Sequence, residues 1–216
     1  MSKTAKKPAR RTQTERRAES GERMLNAAEE LFAEQGLMKT TLLDIGRRAG
    51  YSGGLATHRF GSKLGLVEAL VERYKAIVKQ KYLTADENGV VHPVVWRVFV
   101  ERYFSRQEAE NIGRKAMNVL MGESLGQLKE ASDIFAEYNR WFTDIVEATI
   151  VESQRQGELN PKLNAHETAM GIVAGLRGVM LLWQSDPDYF QLPILAAVFK
   201  RSIEFTATDI AVEAES

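Results

Sequence analysis

The sequence predicts an all-α protein, a small N-terminal helix-turn-helix bundle joined by a helix to a larger helical bundle. Three observations predict it. Apolar residues recur at spacings of three and four from about residue 22 almost to the C-terminus. No alternating strand segment and no fixed-period repeat breaks that pattern. Residues 41–63 read as two short helices joined by a tight turn, with a further helix starting directly behind them.

Residues 1–19 are rich in Lys, Arg, Thr and Ala without an apolar period. They read as a basic disordered arm, either a solubilising tail or a segment that lies along phosphates. A first helix is expected from about Glu22 to Gln35, with Met24, Ala28, Leu31 and Phe32 on one face and Gly36 as its stop. Thr41, with Asp44 three positions on, is a helix N-cap with a reciprocal partner. Leu42, Ile45 and Ala49 share the buried face of that helix, and Gly50 ends it in a left-handed conformation. Ser52 caps the next helix, whose Ala56 and Phe60 point inward. Ser62 caps a fourth, carried by Leu66, Leu70 and Ile77 to about Leu83.

Asp86-Glu87-Asn88-Gly89 is a break, and the domain boundary is placed beside it. The division is then 1–19 arm, 20–83 helix-turn-helix domain with connecting helix, and 84–216 second domain. Pro93 suits the first turn of a helix bearing Trp96, Phe99, Val100, Tyr103 and Phe104. Met117, Leu120 and Met121 belong to another, ended by Gly122 and Gly126. A long helix from about Ser132 to Gln156 buries Phe135, Tyr138, Trp141, Phe142, Ile145 and Thr149. Two final helices, about Ala165–Gln184 and Gln191–Ile210, flank the turn at Ser185-Asp186-Pro187-Asp188.

Composition narrows the function classes. Zero cysteines exclude a disulfide framework and thiolate chemistry, which fits a reducing cytoplasm. The basic N-terminus lacks the apolar core of a signal peptide. The longest apolar run, Met170 to Trp183, is interrupted by Arg177 and is too short to span a bilayer, so no membrane association is expected. Formal net charge is zero, but residues 1–65 hold 13 Lys+Arg against 7 Asp+Glu, and the remainder 16 against 22. The basic end is the end with the paired helices, which points to a polyanion as its partner.

A short helix held by a turn with a polar outer face is what the DNA major groove accepts. With Ala56 and Phe60 inward, Gly54 and His58 point outward, flanked by Leu55 and Thr57. Leu55, Thr57 and His58 are the base-edge candidates, and Arg59, nearer the inner edge, is a phosphate candidate. Thr40, Thr41, Ser62 and Lys63 stand at helix N-termini that favour phosphate. Arg47 and Arg48 offer further backbone contacts, and Ser52, Gly53 and Gly54 open the recognition helix.

The segments AAEELFAEQG, TTLLDIGRRAGYS and RFGSK, over about residues 22–70, resemble the tetracycline-repressor (TetR) family of bacterial regulators. That resemblance implies a homodimer that binds a pseudo-palindromic operator in double-stranded DNA and releases it when a small-molecule effector enters the C-terminal domain. It implies no cofactor. An activator of the same build, or one that answers to a protein, is the alternative. Three departures stand out. Thr57 sits where many members carry Tyr, Gly46 replaces the usual Ala at about 1 kcal/mol in helix propensity, and Gly53-Gly54 leaves the recognition helix bare at its start.

In the second domain, His92, Trp96, Phe99, Tyr103, Met117, Met121, Trp141, Phe142, Arg177 and Trp183 are candidates for an effector pocket, against the plainer reading as core. Arg177 inside an apolar helix needs a carboxylate, a ligand anion or an interface position. Small residues Ala169, Gly171, Ala174, Gly175 and Gly178 let another helix approach closely, and the last helix offers Leu195, Val198, Phe199 and Ile203. These two helices and their symmetry mates make a candidate four-helix dimer interface.

An enzyme is not expected, although one rival was weighed. Gly122-Glu123-Ser124-Leu125-Gly126 matches the G-x-S-x-G of hydrolases, with His166 downstream and Asp133 or Asp144 between. That elbow needs a strand before its serine, and this run is helical. His166-Glu167 opens like a zinc HExxH site, but Met170 stands where the second histidine is required, so no metal site is expected.

Overall fold

A capping box starts the first helix earlier than expected. In this computed structural model, which describes residues 12–126 and 129–208 and side chains as far as 204, the Thr12 hydroxyl accepts from the Glu15 N–H at 3.2 Å. The Glu15 carboxylate accepts in return from the Thr12 N–H at 2.8 Å. Helix α1 therefore spans Gln13–Gln35, and residues 12–19 of the expected arm are its cap and first turns. Their side chains are mostly exposed, so no apolar period marks them as helical. Residues 1–11 of that arm lie outside the described residues.

The expected caps hold at the next three helices, α2 (Leu42–Arg48), α3 (Gly53–Phe60) and α4 (Lys63–Tyr82). The Thr41 hydroxyl accepts from the Asp44 N–H at 3.1 Å, and the Asp44 carboxylate accepts from the Thr41 N–H at 3.1 Å. Ser52 and Ser62 accept from the N–H groups of Leu55 and Gly65. Met24, Ala28, Phe32, Ile45, Ala56 and Leu66 are fully buried together and make the core of the head. Ile77 is not part of that core; it is 42% exposed, because α4 has turned that position away from its neighbours.

The break at Asp86–Gly89 is a hairpin turn. Strands β1 (Leu83–Ala85) and β2 (Val91–Pro93) pair antiparallel, with Thr84 opposite His92. Asp86 Oδ1 accepts from the N–H groups of Asn88 and Val90 at 2.9 and 2.8 Å, which closes the turn. The expectation of no strands is corrected here: each strand has three residues, too few for an alternating pattern to register. Pro93 closes β2 rather than opening a helix. Helix α5 (Trp96–Tyr103) starts after Val95, its first N–H donating to Ser153 Oγ at 2.7 Å.

The second domain continues with α6 (Arg106–Ala109), α7 (Ile112–Ser124), a short 3-10 turn at Lys129–Ala131, α8 (Ser132–Arg155), α9 (Ala165–Ser185) and α10 (Leu192–Thr208). Gly122 lies inside α7 rather than ending it. The expected end of the last helix at Ile210 lies outside the described residues. Helix α7 runs beside α1, Gly113 against Glu29 and Glu123 against Gly36, and so ties the second domain to the head. Among the described residues no helix is long and apolar enough to cross a membrane.

Candidate nucleic-acid interface and cleft

Helix α3 stands where it does because two glycines let it. A Cβ on Gly46 would meet the Ser52 carbonyl oxygen at 2.7 Å, and one on Gly53 would meet the Leu43 Cα at 2.8 Å. Gly50 turns the chain between the two helices at φ 80°, a value costly for any side chain with a Cβ. With Ala56 buried beneath it, α3 presents Gly54, Leu55, Thr57 and His58 outward, all four exposed. The glycine that opens toward solvent is Gly54. Gly53 is buried against Leu43, so it serves α2–α3 packing and not DNA approach, contrary to expectation.

Several expected phosphate contacts are committed within the protein. Thr40 is fully buried, its hydroxyl donating to the Gly36 carbonyl at 2.6 Å. The Lys63 ammonium donates to the carbonyls of Leu37, Met38 and Thr40 at 2.9, 3.4 and 3.0 Å, tying the α1–α2 loop to the start of α4. Arg48 is paired with Glu30 and Glu34, each at 3.1 Å, so its charge is largely answered by α1. Arg59 lies back across α1 at Gly21 and donates to the Arg17 carbonyl at 2.8 Å. The structure brings together, on one open face, Arg47, Ser52, Gly54, Leu55, Thr57, His58 and Ser62, with Thr41 at the edge. The Arg59–Arg17 bond also sets the exposed Arg16 and Arg17 of α1 beside the end of α3, an adjacency no local motif announces.

The candidates in the second domain separate into three groups. Trp96, Phe99, Tyr103, Met117 and Phe142 are at most 4% exposed and form plain core. Their rings follow one another at 6.3 Å (Trp96–Phe99), 6.0 Å (Phe99–Tyr103) and 6.4 Å (Tyr103–Phe142), too close-packed to admit a ligand. His92 sits on the hairpin beside Asp86, and Trp141 faces Lys75 and Lys79 on the surface. Trp183 borders a cleft of about 450 Å³ with Phe104 and Leu192. Only Met121 and Arg177 line the larger cleft, about 590 Å³, between α7, α8 and α9. Its walls are mainly apolar, from Met121, Leu125, Phe135, Met170, Val173 and Leu181, and sequence reasoning missed all but the first as lining residues. Asn118, Asn139 and Thr143 add polar groups. A volume in this range with a few convergent polar groups is typical of small-molecule sites.

The cleft is wired to the head. Gly122 and Ser124 line it, and Glu123 between them turns the other way, its Oε2 accepting from the Leu37 N–H at 2.8 Å. The Leu37 carbonyl in turn accepts from Lys63. One carboxylate thus joins the cleft wall to the loop that carries α2 and α3. The residues are 86 positions apart, and no local sequence signal announces the contact.

Ser124 does not form a nucleophile elbow. It is 3% exposed inside α7, and its hydroxyl donates to the Met121 carbonyl at 2.8 Å. His166 faces Glu147 at 2.7 Å on the neighbouring helix α8.

Of the dimer candidates, Ala169 is fully buried and Phe199 packs onto Gly175, its ring 2.3 Å from where a Cβ would stand. Those three serve packing inside the chain. Gly171, Ala174 and Val198 are exposed, Gly178, Leu195 and Ile203 half-buried, and Leu182 and Ile194 join them as large apolar residues open to solvent.

Residues 24–70 match the family model of bacterial regulatory proteins, tetR family. The HTH-type transcriptional repressor BepR of Brucella suis biovar 1 is 25% identical over 189 residues, covering 86% of this chain and 90% of that protein. Among solved structures, Salmonella enterica GusR superposes with a TM-score of 0.71 at 20% identity, over 87% of this chain and 95% of that one. A complex of SmeT with triclosan superposes with a TM-score of 0.60 at 20% identity, over 85% and 90%.

Proposed function

Because this chain belongs to the tetR family of bacterial transcriptional regulators, we propose that it is a homodimeric repressor, working in the cytoplasm, that a small molecule releases from a pseudo-palindromic operator. DNA is read by the exposed face of α3. Leu55, Thr57 and His58 meet base edges, while Arg47 and the helix N-termini at Thr41 and Ser62 hold phosphates. The exposed apolar residues of α9 and α10, among them Leu182, Ile194 and Val198, pair with those of a second copy. Two recognition helices then face successive major grooves about 34–36 Å apart.

The observation that carries the ligand-responsive part is the Glu123–Leu37 hydrogen bond, since it gives cleft occupancy a physical route to the head. An effector that fits the cleft better in one arrangement of α7 than in another shifts the head between operator-matching and mismatched spacings. Triclosan in SmeT is a small molecule held by a protein of this fold, which supports the same use of a cavity here.

Selection of bound duplexes from a random pool tests the reading. Enrichment of an inverted repeat with half-sites about one helical turn apart is expected. Recovery without any enriched sequence, or of an unrepeated one, contradicts it.

A further inference from the structure

Two arginines are built into the second domain, and only one has a counter-charge. Arg114 is 4% exposed, but Glu108 lies 3.4 Å from its guanidinium, the Tyr103 carbonyl accepts from it at 2.9 Å, and it stacks over the Tyr103 ring at 4.1 Å. Arg177 has nothing equivalent. Its only hydrogen-bonded acceptor at a stated distance is Asn139 Oδ1, a long 3.4 Å away, and its Nε is buried without a partner. Its guanidinium lies 5.5 and 5.1 Å from the ring centres of Tyr138 and Phe142. Burial pushes the Tyr138 phenol up from its ordinary range, so that neighbour stays neutral and supplies no negative charge. Among the described residues no carboxylate is within ion-pairing reach of Arg177.

Room for a counter-ion exists on one side alone. Inward, toward Tyr74 and Tyr82, the void beside Arg177 is about 10 Å³, too small for a carboxylate. Outward, Arg177 borders the cleft of about 590 Å³, with Asn139 and Thr143 next to it and Phe135, Met170 and Leu181 beyond. A guanidinium is never deprotonated in a protein, and a charge out of water needs an opposite charge or several good acceptors. Its planar fork matches a carboxylate through two parallel hydrogen bonds.

We propose that the effector is an amphipathic organic acid, its carboxylate seated on Arg177 beside Asn139 and its apolar body lying against Phe135, Met170 and Leu181. The proposal rests on the reading of this cleft as the effector site and adds the chemical class of what enters it. The cleft recognises the acid by charge at one end and by apolar contact along the rest, so neutral molecules of equal shape are discriminated against.

The test uses the full-length protein and a panel of matched pairs of graded length, each an aryl or alkyl carboxylic acid and its primary amide, 4-phenylbenzoate with 4-phenylbenzamide among them. Dissociation constants come from calorimetry on wild type, Arg177→Gln, Arg177→Lys and Ala174→Trp. In wild type at least one acid is expected to bind ten-fold or more tighter than its amide. Arg177→Gln brings that ratio near one while operator binding and thermal stability are kept, because the change removes an unanswered charge. Arg177→Lys keeps part of the preference. Ala174→Trp, which fills the cleft, abolishes binding of both members. Amides that bind as tightly as acids, a preference that survives in Arg177→Gln, or no binding by any pair overturns the proposal. If amides bind and Ala174→Trp blocks them, the cleft remains the effector site and only the acid is lost. If binding ignores Ala174→Trp, the cleft itself is wrong.

Discussion

Gly46 and Gly53 meet across the α2–α3 turn, a Cβ on Gly46 having only 2.9 Å to the Gly53 Cα. From propensity alone Gly46 looks like a weak residue that alanine would improve. The packing reverses the sign, because the obstacle is backbone on both sides and cannot swing aside. Gly46→Ala should lower unfolding free energy by about 1–3 kcal/mol, as overpacked cores do, and weaken operator binding by prising α3 from its seat. Gly54→Ala is the control. The nearest atom to a Cβ there is Ser52 Oγ at 4.0 Å, so this change should raise stability by up to about 1 kcal/mol. Urea unfolding of both variants decides the matter, and equal effects would remove the packing account.

Glu123 connects cleft and head through one charge-assisted hydrogen bond to the Leu37 N–H. Such a bond is worth about 1.5–3 kcal/mol. Glu123→Ala should leave effector binding close to wild type, because Glu123 points away from the cleft. Operator affinity without effector should fall only modestly. The loss should appear in coupling: the factor by which effector weakens operator binding, typically about 5–150-fold in such systems, should shrink toward one. Titrating operator at zero and saturating effector measures it, and undiminished release in the variant would rule out this route.

Lys63 and Arg47 are both cations near the candidate DNA face, but their surroundings assign them different work. Lys63 holds three backbone carbonyls, whereas Arg47 is exposed. Arg47→Ala should flatten the dependence of log affinity on log salt by about 0.9, the slope lost with one phosphate contact. Lys63→Met should leave that slope unchanged and instead lower the melting temperature of the head. A reduced salt slope in Lys63→Met would return this residue to the DNA.

The Asp44 carboxyl is held below its ordinary range by the Thr41 hydroxyl first and the Thr41 N–H second. A folded-state value lower than the unfolded one means that the carboxylate form stabilises the fold. That contribution is complete above the unfolded value, about pH 4, and is lost as pH falls through the folded one. The melting temperature should therefore fall with acidification more steeply in wild type than in Asp44→Asn, which cannot titrate there. Parallel acid profiles for the two proteins would show that this cap is not linked to stability.

What could be read from residues and what could not divides along sequence distance. Caps and turns were readable, because Thr41, Ser52, Ser62 and Gly50 act within four positions of themselves. The outward face of α3 was readable too, since Ala56 and Phe60 fix its rotation. The roles of cations were not. Lys63 and Arg48 carry the residue type of phosphate contacts, and what diverts them is a set of acceptors 14 to 26 positions away. The pocket was misjudged for a related reason. Aromatic residues mark where apolar area is greatest, which here is the stacked core, whereas the cleft is bordered by smaller and more flexible side chains such as Met170, Val173 and Ala174. Arg177 was the exception, conspicuous because a charge in an apolar helix needs a reason.

Thr57 carries the sharpest expectation for base recognition. Its hydroxyl donates to the Gly53 carbonyl at 3.2 Å, one turn back along α3, so its hydrogen is engaged before DNA arrives. The oxygen keeps its lone pairs and faces outward from an exposed position. In the major groove it can therefore accept but not donate, which suits the amino groups of adenine or cytosine and not the acceptors of guanine or thymine. Selected sites should show adenine or cytosine at one fixed position of each half-site. Thr57→Val, which keeps the shape and removes the acceptor, should erase that preference at a cost of about 1–3 kcal/mol against the preferred base, with other positions unchanged. Thr57→Ser should retain it. A guanine or thymine at the position sensitive to Thr57→Val would mean that the hydroxyl abandons Gly53 on binding and donates.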